Sequence, residues 1–340
     1  MPRRTRTILI DRDEPDPALI EEAAQVLRAG GLVAFGTETV YGLGADATNP
    51  EAVARIFEAK GRPAFNPLIV HAHGLTMARQ CVAHWPDVAE HLARRWWPGP
   101  LTLVLPRSAL IPDIVTAGRN TVGVRVPHPG VARALIERTG RPIAAPSANR
   151  STGISPTLAQ HVLDDLDGKI DLILDSGPTD VGLESTVLDL SSDRPRILRP
   201  GPISALDLNI SFDVNPAPPL TSGASFASPG LMSTHYAPRT PAVRVHRDAL
   251  PRFPWPETAA LLVFDAPLPP DASIPIGVVR HDLPNPIEAG RRLYALLHAC
   301  DNAGFPLIVV VPPPDRPEWS AVRDRIERAT RPCPEQDERD

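Results

Sequence analysis

The chain has 340 residues, of which 42% are hydrophobic and 22% are charged, values typical of a globular protein with room for two domains. Its formal net charge of -5 is spread evenly along the sequence, which excludes a basic nucleic-acid-binding arm and an acidic tail. Cys81, Cys300 and Cys333 are odd in number and far apart, which argues against a disulfide framework and a zinc knuckle.

The N-terminal residues contain no apolar core of signal-peptide length, and no apolar run is long enough for a membrane span. We therefore expect a cytoplasmic protein that does not enter membranes. Residues 8–10 predict a short strand. A helix follows from Asp16-Pro17, and its end is marked by Gly30-Gly31.

The rest of the chain is organised around residues 31–71, which predict a strand, a glycine-rich turn, a helix, a basic turn and a second strand. The apolar runs at 32–35 and 67–71 are the strands, and residues 37–44 are the turn. Asn49 and Pro50 open the helix, which ends at Gly61. His71 lies at the far end of the second strand.

Lys60 and Arg62 lie at the exit of this helix, where we expect both side chains to be accessible to solvent. Lys60 and Lys169 are the only lysines in a chain that otherwise uses arginine. A lysine offers a compact point charge, whereas an arginine offers a planar fork. One interpretation is that Lys60 and Arg62 bind one anion. The alternative is a solvated lysine that interacts favourably with the helix dipole.

Further strands and helices alternate up to about residue 200. A helix is predicted at 86–97, strands at 101–105 and 121–126, and a helix at 131–139. Arg125 lies among the apolar residues of its strand and needs a partner, which is either a structural carboxylate or a ligand carboxylate. The strand at 142–149 delivers Ser147 and Asn149 into a turn, and Ser155-Pro156 predicts the start of another helix. Strands follow at 170–174, 185–190 and 196–198.

Residues from about 215 to 241 are rich in Pro, Ser, Gly and Ala and predict a linker without regular structure. His235 and Tyr236 are unusual residues for a simple spacer. Beyond the linker, apolar runs at 259–265, 275–279 and 307–311 alternate with helices at 287–302 and about 317–329. This alternation predicts a smaller α/β domain with a parallel sheet.

The common nucleotide-binding and hydrolase motifs are not present in the sequence. Turns that bear cations and hydroxyls recur instead after predicted strands and helices. They contain Lys60, Arg62, Thr121, Ser147, Asn149, Ser155 and Arg199. Together they predict a cleft for a polyanion, and their chemistry favours a nucleotide.

The ordered run TETVYGLG, KGRP, NPL, VH, APSAN, ESTV, RPG and finally SPG with HYAP resembles the threonylcarbamoyl-adenylate synthase family in its two-domain form. The resemblance covers residues from about 15 to 240. It implies a YrdC-like α/β fold, with a twisted, open, mixed sheet flanked by helices, in residues 1–212. It also implies a linker acting as a lid at 213–241 and a smaller Rossmann-like α/β domain at 242–340.

The activity that the resemblance implies joins L-threonine, bicarbonate and ATP into threonylcarbamoyl-AMP and pyrophosphate. By matching position, Lys60 and Arg62 would be the catalytic cations. The residues that would bind ATP are Lys60, Arg62, Asn66, Thr121, Ser147, Asn149, Ser155, Arg199 and Tyr236. Thr39, His71, Arg125, Ala145 and Ser185 would bind threonine. Tyr236 would fold back over the nucleotide.

The resemblance also implies partners. Mg²⁺ would be held through the ATP phosphates and by no dedicated protein site. The product would pass to a tRNA threonylcarbamoyl transferase, and a weak contact with tRNA is compatible with this role. Two alternatives stay open: the related carbamoyl-transfer domain of hydrogenase maturation factors, and an RNA-binding module without catalysis. The sequence has no CxxC pairs of the kind that bind zinc in those maturation factors. It also has no clustered cations of the kind that RNA binding depends on.

Overall fold

The computed structural model describes residues 4–209, 235–265 and 267–333. These residues divide into two compact units. The first contains residues 4–151 and 155–209, and the second contains residues 152–154 together with the described residues from 235 onward. Residues 213–234 of the predicted linker lie outside the described residues.

The first unit is built on a ten-stranded mixed sheet. Its strands in chain order are β1 (Arg6–Leu9), β2 (Val33–Gly36), β3 (Tyr41–Asp46), β4 (Ile69–His71), β5 (Leu101–Pro106), β6 (Thr121–Arg125), β7 (Ile143–Ala144), β8 (Leu172–Asp175), β9 (Thr186–Asp189) and β10 (Arg196–Arg199). Their order across the sheet is β1-β8-β2-β3-β7-β4-β6-β5-β9-β10. Parallel and antiparallel pairs alternate irregularly, and this confirms the mixed sheet that the resemblance implied.

Helices flank this sheet. They are α1 (Pro17–Arg28), α2 (Pro50–Lys60), α3 (Leu75–Gln80), α4 (Asp87–Trp96), α5 (Asp113–Thr116), α6 (Gly130–Thr139), α7 (Ala159–Leu166) and α8 (Ala205–Leu208). The sequence signals for α2 are confirmed: the Asn49 side chain accepts hydrogen bonds from two backbone N–H groups, and Gly61 ends the helix at φ 59°. Because Gly61 tolerates this left-handed conformation, the chain turns immediately after Lys60.

The centre of the sheet has two different faces. On β6, Val122 and Val124 point into the main core of the first unit. Side chains alternate along a strand, so Thr121, Gly123 and Arg125 lie on the opposite face. That face has a small apolar cluster of its own, which consists of Ile69, Val104, Val187 and Leu198. The cluster gives a rigid floor beside the polar residues of the same face.

Three local predictions are wrong. Residues 41–44 of the predicted glycine-rich turn belong to β3. A Cβ atom at Gly44 would lie 2.8 Å from the Phe35 ring, so this strand needs glycine for close packing. The helix expected at Ser155-Pro156 begins at Ala159. The strand expected at 275–279 runs at Val278–Leu283.

The second unit contains a parallel sheet of β11 (Ala242–Arg244), β12 (Ala259–Phe264), β13 (Val278–Leu283), β14 (Ile308–Val311) and β15 (Arg331–Pro332), in the order β13-β12-β14-β11-β15. Its helices are α9 (Pro286–Ala303) and α10 (Ser320–Ala329), with 3-10 turns at Arg247–Arg252 and Pro317–Trp319. This confirms the smaller α/β unit with a parallel sheet. Within the described ranges, no helix combines the length and apolar character needed to cross a bilayer.

Candidate functional site

His71 and Arg125 are neighbours at the ends of the parallel strands β4 and β6. Both side chains are buried. Arg125 Nη1 donates a hydrogen bond to Thr39 Oγ1 over 3.0 Å, and Arg125 Nε donates to the carbonyl of Gly99. The structure thus brings together Thr39, His71 and Arg125, which the family resemblance assigned to threonine binding.

Glu38 is a buried member of this group that the sequence analysis missed. Its Oε1 lies 2.7 Å from Arg125 Nη2, and its Oε2 accepts a hydrogen bond from the backbone of His128. Of the two partners that the sequence left open for Arg125, the structure therefore contains a structural carboxylate, which is Glu38. Glu38 stands between the two threonines of TET, so the motif itself offered the signal.

Ser185 and Arg199 form a second buried group next to the first. Ser185 Oγ lies 2.8 Å from Thr102 Oγ1, and Arg199 Nη2 donates to both the carbonyl and the hydroxyl of Ser185. Ser185 directly precedes β9, and Thr102 lies on β5, which pairs with β6. Ser185, which was predicted to bind threonine, and Arg199, which was predicted to bind ATP, are therefore in direct contact.

Lys60 and Arg62 are buried, so the prediction that both lie at a solvent-accessible helix exit is wrong. Their exposed fractions are 3% and 7%. Lys60 Nζ donates to the carbonyls of Ser147 and Asn149, because the turn after β7 folds over the end of α2. This brings together Lys60, Ser147 and Asn149, three residues that were predicted to bind ATP.

The Arg62 side chain holds the loop that carries Asn66. Arg62 Nε donates to the carbonyl of Asn66 over 3.1 Å, and Nη2 donates to that of Pro67. The Asn66 side chain is 1% exposed, yet neither atom of its amide has a hydrogen-bond partner among the described residues. A buried amide of this kind indicates a ligand or water that completes it.

The remaining predicted residues lie along the same segments. Ala145 is buried, and its backbone N–H donates to the carbonyl of Ile69, two residues before His71. Thr121 begins β6 on the face that also bears Arg125, roughly 13 Å away by the rise of a strand. Ser155 Oγ donates to Glu184 Oε1 over 2.6 Å, so Glu184 of ESTV is a second acidic residue that the analysis missed.

Burial changes the charge state of two groups in the site. Burial and the nearby Arg125 guanidinium lower the pKa of His71 to about 3, so its imidazole is neutral near pH 7. His71 Nδ1 is buried and has no hydrogen-bond partner among the residues described. Burial, and secondarily the charge of Arg62, lowers the pKa of Lys60 well below its ordinary value. An anion brought to Lys60 would favour its protonated form.

Tyr236 belongs to the second unit. Its ring is 1% exposed and lies 5.5 Å from the ring of Tyr294, and the Arg325 guanidinium stacks over it at 5.2 Å. The backbone N–H of Ala237 donates to the carbonyl of Thr152 in the same unit. That Tyr236 folds over a nucleotide stays a prediction, and residues 213–234 of the predicted lid lie outside the described part.

Two family models match the chain. A model described as "Telomere recombination" matches residues 25–201, and a model described as "Threonylcarbamoyl-AMP synthase, C-terminal domain" matches residues 207–330. Together they span most of both units.

Curated relatives named threonylcarbamoyl-AMP synthase are similar over much of their length. The Pyrococcus abyssi protein is 48% identical over 243 residues, which cover 70% of this chain and 72% of the relative. The Bacillus subtilis protein is 48% identical over 65% of both chains. For the Schizosaccharomyces pombe protein the identity is 42%, over 72% of this chain and 63% of the relative. The matches thus span slightly under two thirds of the latter two relatives.

Two solved structures extend the comparison. P. abyssi Sua5 complexed with L-threonine has a TM-score of 0.84 and 36% identity, and the match covers 96% of this chain and 99% of that one. Escherichia coli YciO has a TM-score of 0.52 and 26% identity, and the match covers 58% of this chain and 96% of that one.

Proposed function

The chain belongs to the threonylcarbamoyl-AMP synthase family, and from this premise we propose that its first unit makes threonylcarbamoyl-AMP and pyrophosphate from L-threonine, bicarbonate and ATP. The observation that carries the proposal is the set of four buried cations in the described part of the first unit, Lys60, Arg62, Arg125 and Arg199. Arg125 lies beside His71, and Arg199 contacts Ser185, which directly precedes β9. Lys60 meets Ser147 and Asn149, whose segment begins at Ala145 beside β4.

In the proposed reaction, the threonine amine combines with bicarbonate to give a carbamate and water. A carbamate oxygen then attacks the α-phosphorus of ATP. The new oxygen–phosphorus bond forms as the bond from the α-phosphorus to the bridging oxygen breaks, and pyrophosphate leaves. No covalent enzyme intermediate is needed, so the chain contributes position and charge.

At the threonine end, Arg125 is the proposed carboxylate receptor. Its guanidinium is fixed by Glu38, Thr39 and Gly99. A guanidinium has five N–H donors, so a substrate carboxylate can join these partners. Neutral His71 has an unpartnered Nδ1 within the described structure, which suits a hydrogen bond to a substrate hydroxyl or carbamate.

At the nucleotide end, Lys60 and Arg62 are the proposed cations for the phosphates. Both are held by backbone carbonyls, which fix their positions. Charge that develops on the phosphates would therefore meet preorganised donors that need little rearrangement. The unpartnered amide of Asn66 is available to the same ligand, as judged from the described residues.

Magnesium belongs to this proposal as an ion carried by ATP. The side chains assigned to the nucleotide include Lys60, Arg62 and Arg199, which suit phosphate oxygens and not a metal ion. When bound, the ion would neutralise part of the phosphate charge.

The proposed product is an activated carbamoyl group, which a tRNA threonylcarbamoyl transferase would consume. A cytoplasmic location and a weak contact with tRNA are parts of the same proposal, because the acceptor is a tRNA.

The test is a reconstituted reaction. ATP with Mg²⁺, L-threonine and isotopically labelled bicarbonate are incubated with the chain, and the adenylate is detected by mass spectrometry. We expect a labelled adenylate and pyrophosphate release that depends on all the substrates. Equal pyrophosphate release without threonine would refute the proposal, and salt-dependent tRNA binding without turnover would favour the RNA-binding alternative.

A further inference from the structure

The second unit contains a cavity of about 730 Å³ at the carboxyl edge of its parallel sheet. Its lining comes from the ends of β11 and β14, from the segments that follow β11, β12 and β14, and from α10 and β15. Cavities of about 300–1,000 Å³ are typical of sites for small molecules.

The cavity lies where the sheet changes its winding direction. Strands β12 and β14 are neighbours, but the chain leaves β12 toward β13 on one side and leaves β14 toward β15 on the other. In open α/β sheets, ligands bind outside the carboxyl ends of the strands at such a point. Helix α10 follows β14, so the positive end of its dipole faces the same edge.

Four arginines line this cavity. Arg244 Nη1 donates to the carbonyls of Ile326, Glu327 and Thr330, and Arg247 donates to those of Phe264 and Pro267. Carbonyl partners fix these two side chains without neutralising their charge.

The other two arginines have carboxylate partners. Arg316 contacts Asp265 at 2.8 Å, and Arg323 contacts Asp315. The side chains of Arg316 and Asp315 are 56% and 92% exposed, so these pairs are of the weak kind that an anionic ligand can replace.

The acidic and apolar residues that line the cavity limit the kinds of ligand that it can bind. Asp248, Asp265, Asp315 and Glu327 also line the cavity, so its formal charge is balanced and does not favour a bare polyanion. It suits a ligand with an anionic part and hydrogen-bond donors. The consecutive prolines Pro312, Pro313 and Pro314 give one apolar wall.

Asp265 lines the cavity, and its carboxylate can accept hydrogen bonds from the donors of such a ligand. It directly follows β12 and has φ 67°, a backbone conformation that is uncommon outside glycine and recurs at functional sites. A carboxylate at the end of the second strand is also where open α/β sheets bind a ribose hydroxyl.

We propose that this cavity binds a nucleotide, with its phosphate at Arg316 and Arg323, its ribose at Asp265 and its base against Pro312–Pro314. The site is separate from the residues assigned to ATP in the first unit. It would give the second unit a ligand of its own.

The test uses the full chain in a Lys60→Met background, in which the proposed function leads us to expect weaker nucleotide binding by the first unit. AMP binding is measured by calorimetry with and without the paired changes Arg316→Ala and Arg323→Ala. Charge-assisted hydrogen bonds of this kind make us expect about tenfold or greater loss of AMP affinity. Arg280→Ala is the matched control, because Arg280 pairs with Asp282 on β13 and does not line the cavity.

Two further measurements decide the ligand class and place. Irradiation with 8-azido-AMP followed by peptide mass spectrometry is expected to label residues 311–332. If the double variant fails to fold, the AMP titration is repeated with the single variant Arg316→Ala. Unchanged AMP affinity in the arginine variants, or labelling confined to the first unit, would overturn the proposal. Pyrophosphate that binds as tightly as AMP would also overturn the assignment to a nucleotide.

Discussion

The Lys60 ammonium group lies among main-chain carbonyls and next to another cation. Its partners are the carbonyls of Ser147 and Asn149, and Arg62 follows two residues later. Carbonyl dipoles orient the group without cancelling its charge. Asp165 acts to raise the pKa of Lys60, but burial and Arg62 outweigh it, so the arrangement suits a lysine that gains a further opposite charge from a substrate.

We predict that Lys60→Ala lowers turnover by about 10²–10³-fold, the effect of removing one preorganised electrostatic donor. Because the residue is buried, this change also removes packing and leaves carbonyls unpaired. Lys60→Met keeps most of the stem and is expected to lose as much turnover. Lys169→Ala is the control, since Lys169 is exposed. Initial rates and melting temperatures are measured for all three, and a folded Lys60→Met chain with normal turnover would contradict the role.

Binding of ATP should bring a proton to Lys60. Burial and Arg62 lower its pKa in the free chain, and phosphate charge would raise the pKa again. Where the free side chain is partly deprotonated, ATP binding then takes up protons. Calorimetric titrations in buffers of different ionisation enthalpy measure this uptake, and Lys60→Met should reduce it. Equal uptake by the two chains would show that Lys60 does not change its protonation.

His71 should make the fold sensitive to mild acid. Its pKa is about 3 in the folded chain and about 6.5 in an unfolded one. The unfolded state therefore binds an extra proton as the pH falls from about 6.5 toward 3, and stability is lost by up to about 1.4 kcal/mol per pH unit.

We predict that His71→Gln reduces this loss, whatever it does to stability at pH 8. Urea unfolding at pH 8 and pH 5 measures the difference. His128→Gln is the control because His128 is an exposed histidine near the same site. If both variants keep the wild-type pH dependence, another group causes the acid sensitivity.

At the scale of elements, α2 shows how local signals position Lys60, the side chain that we propose as catalytic. Its cap, Asn49, and its terminator, Gly61, set the length of the helix, which ends with Lys60 as its last residue. A Cβ atom at Gly61 would meet no atom within 4 Å, so glycine is required here for its backbone conformation alone.

Gly61→Ala should therefore destabilise the chain by about 1 kcal/mol, through backbone strain and not through steric overlap. Gly61→Asn should cost less, because asparagine adopts the left-handed conformation more readily. Chemical denaturation of the two variants measures the difference. Equal stabilities would mean that the φ value of 59° does not set the cost.

The elements that the sequence predicted well are those with local signals. The caps of α2 and the alternation of β6 can be read from neighbouring residues. Strand β3 could not, because the glycine at 44 is explained by close packing against Phe35 and Ile143 on the neighbouring strands, and contacts between strands cannot be read from adjacent residues. For the same reason the Glu38 pair with Arg125 and the burial of Lys60 needed the structure, since both depend on contacts between segments.

At the scale of the whole molecule, the two units have separate cores. The first unit has a large core, and at β6 in the centre of its sheet the face opposite this core bears polar groups and a small apolar cluster. The second has its own core around β12 and β14. The residues proposed to bind L-threonine all lie in the first unit.

L-threonine alone should therefore slow amide hydrogen exchange in the first unit, most strongly near β4 and β6, and leave β12 and β14 of the second unit unchanged. Ligand binding stabilises the region that binds, by about 2.7 kcal/mol at a concentration 100 times the Kd. Mass spectrometry of peptides after deuterium exchange measures both units in one sample. L-valine is the matched control ligand, because it has the shape of threonine without the hydroxyl proposed to meet His71, and it should protect less. Equal protection of both units by threonine would show that its binding is not confined to the site assigned here.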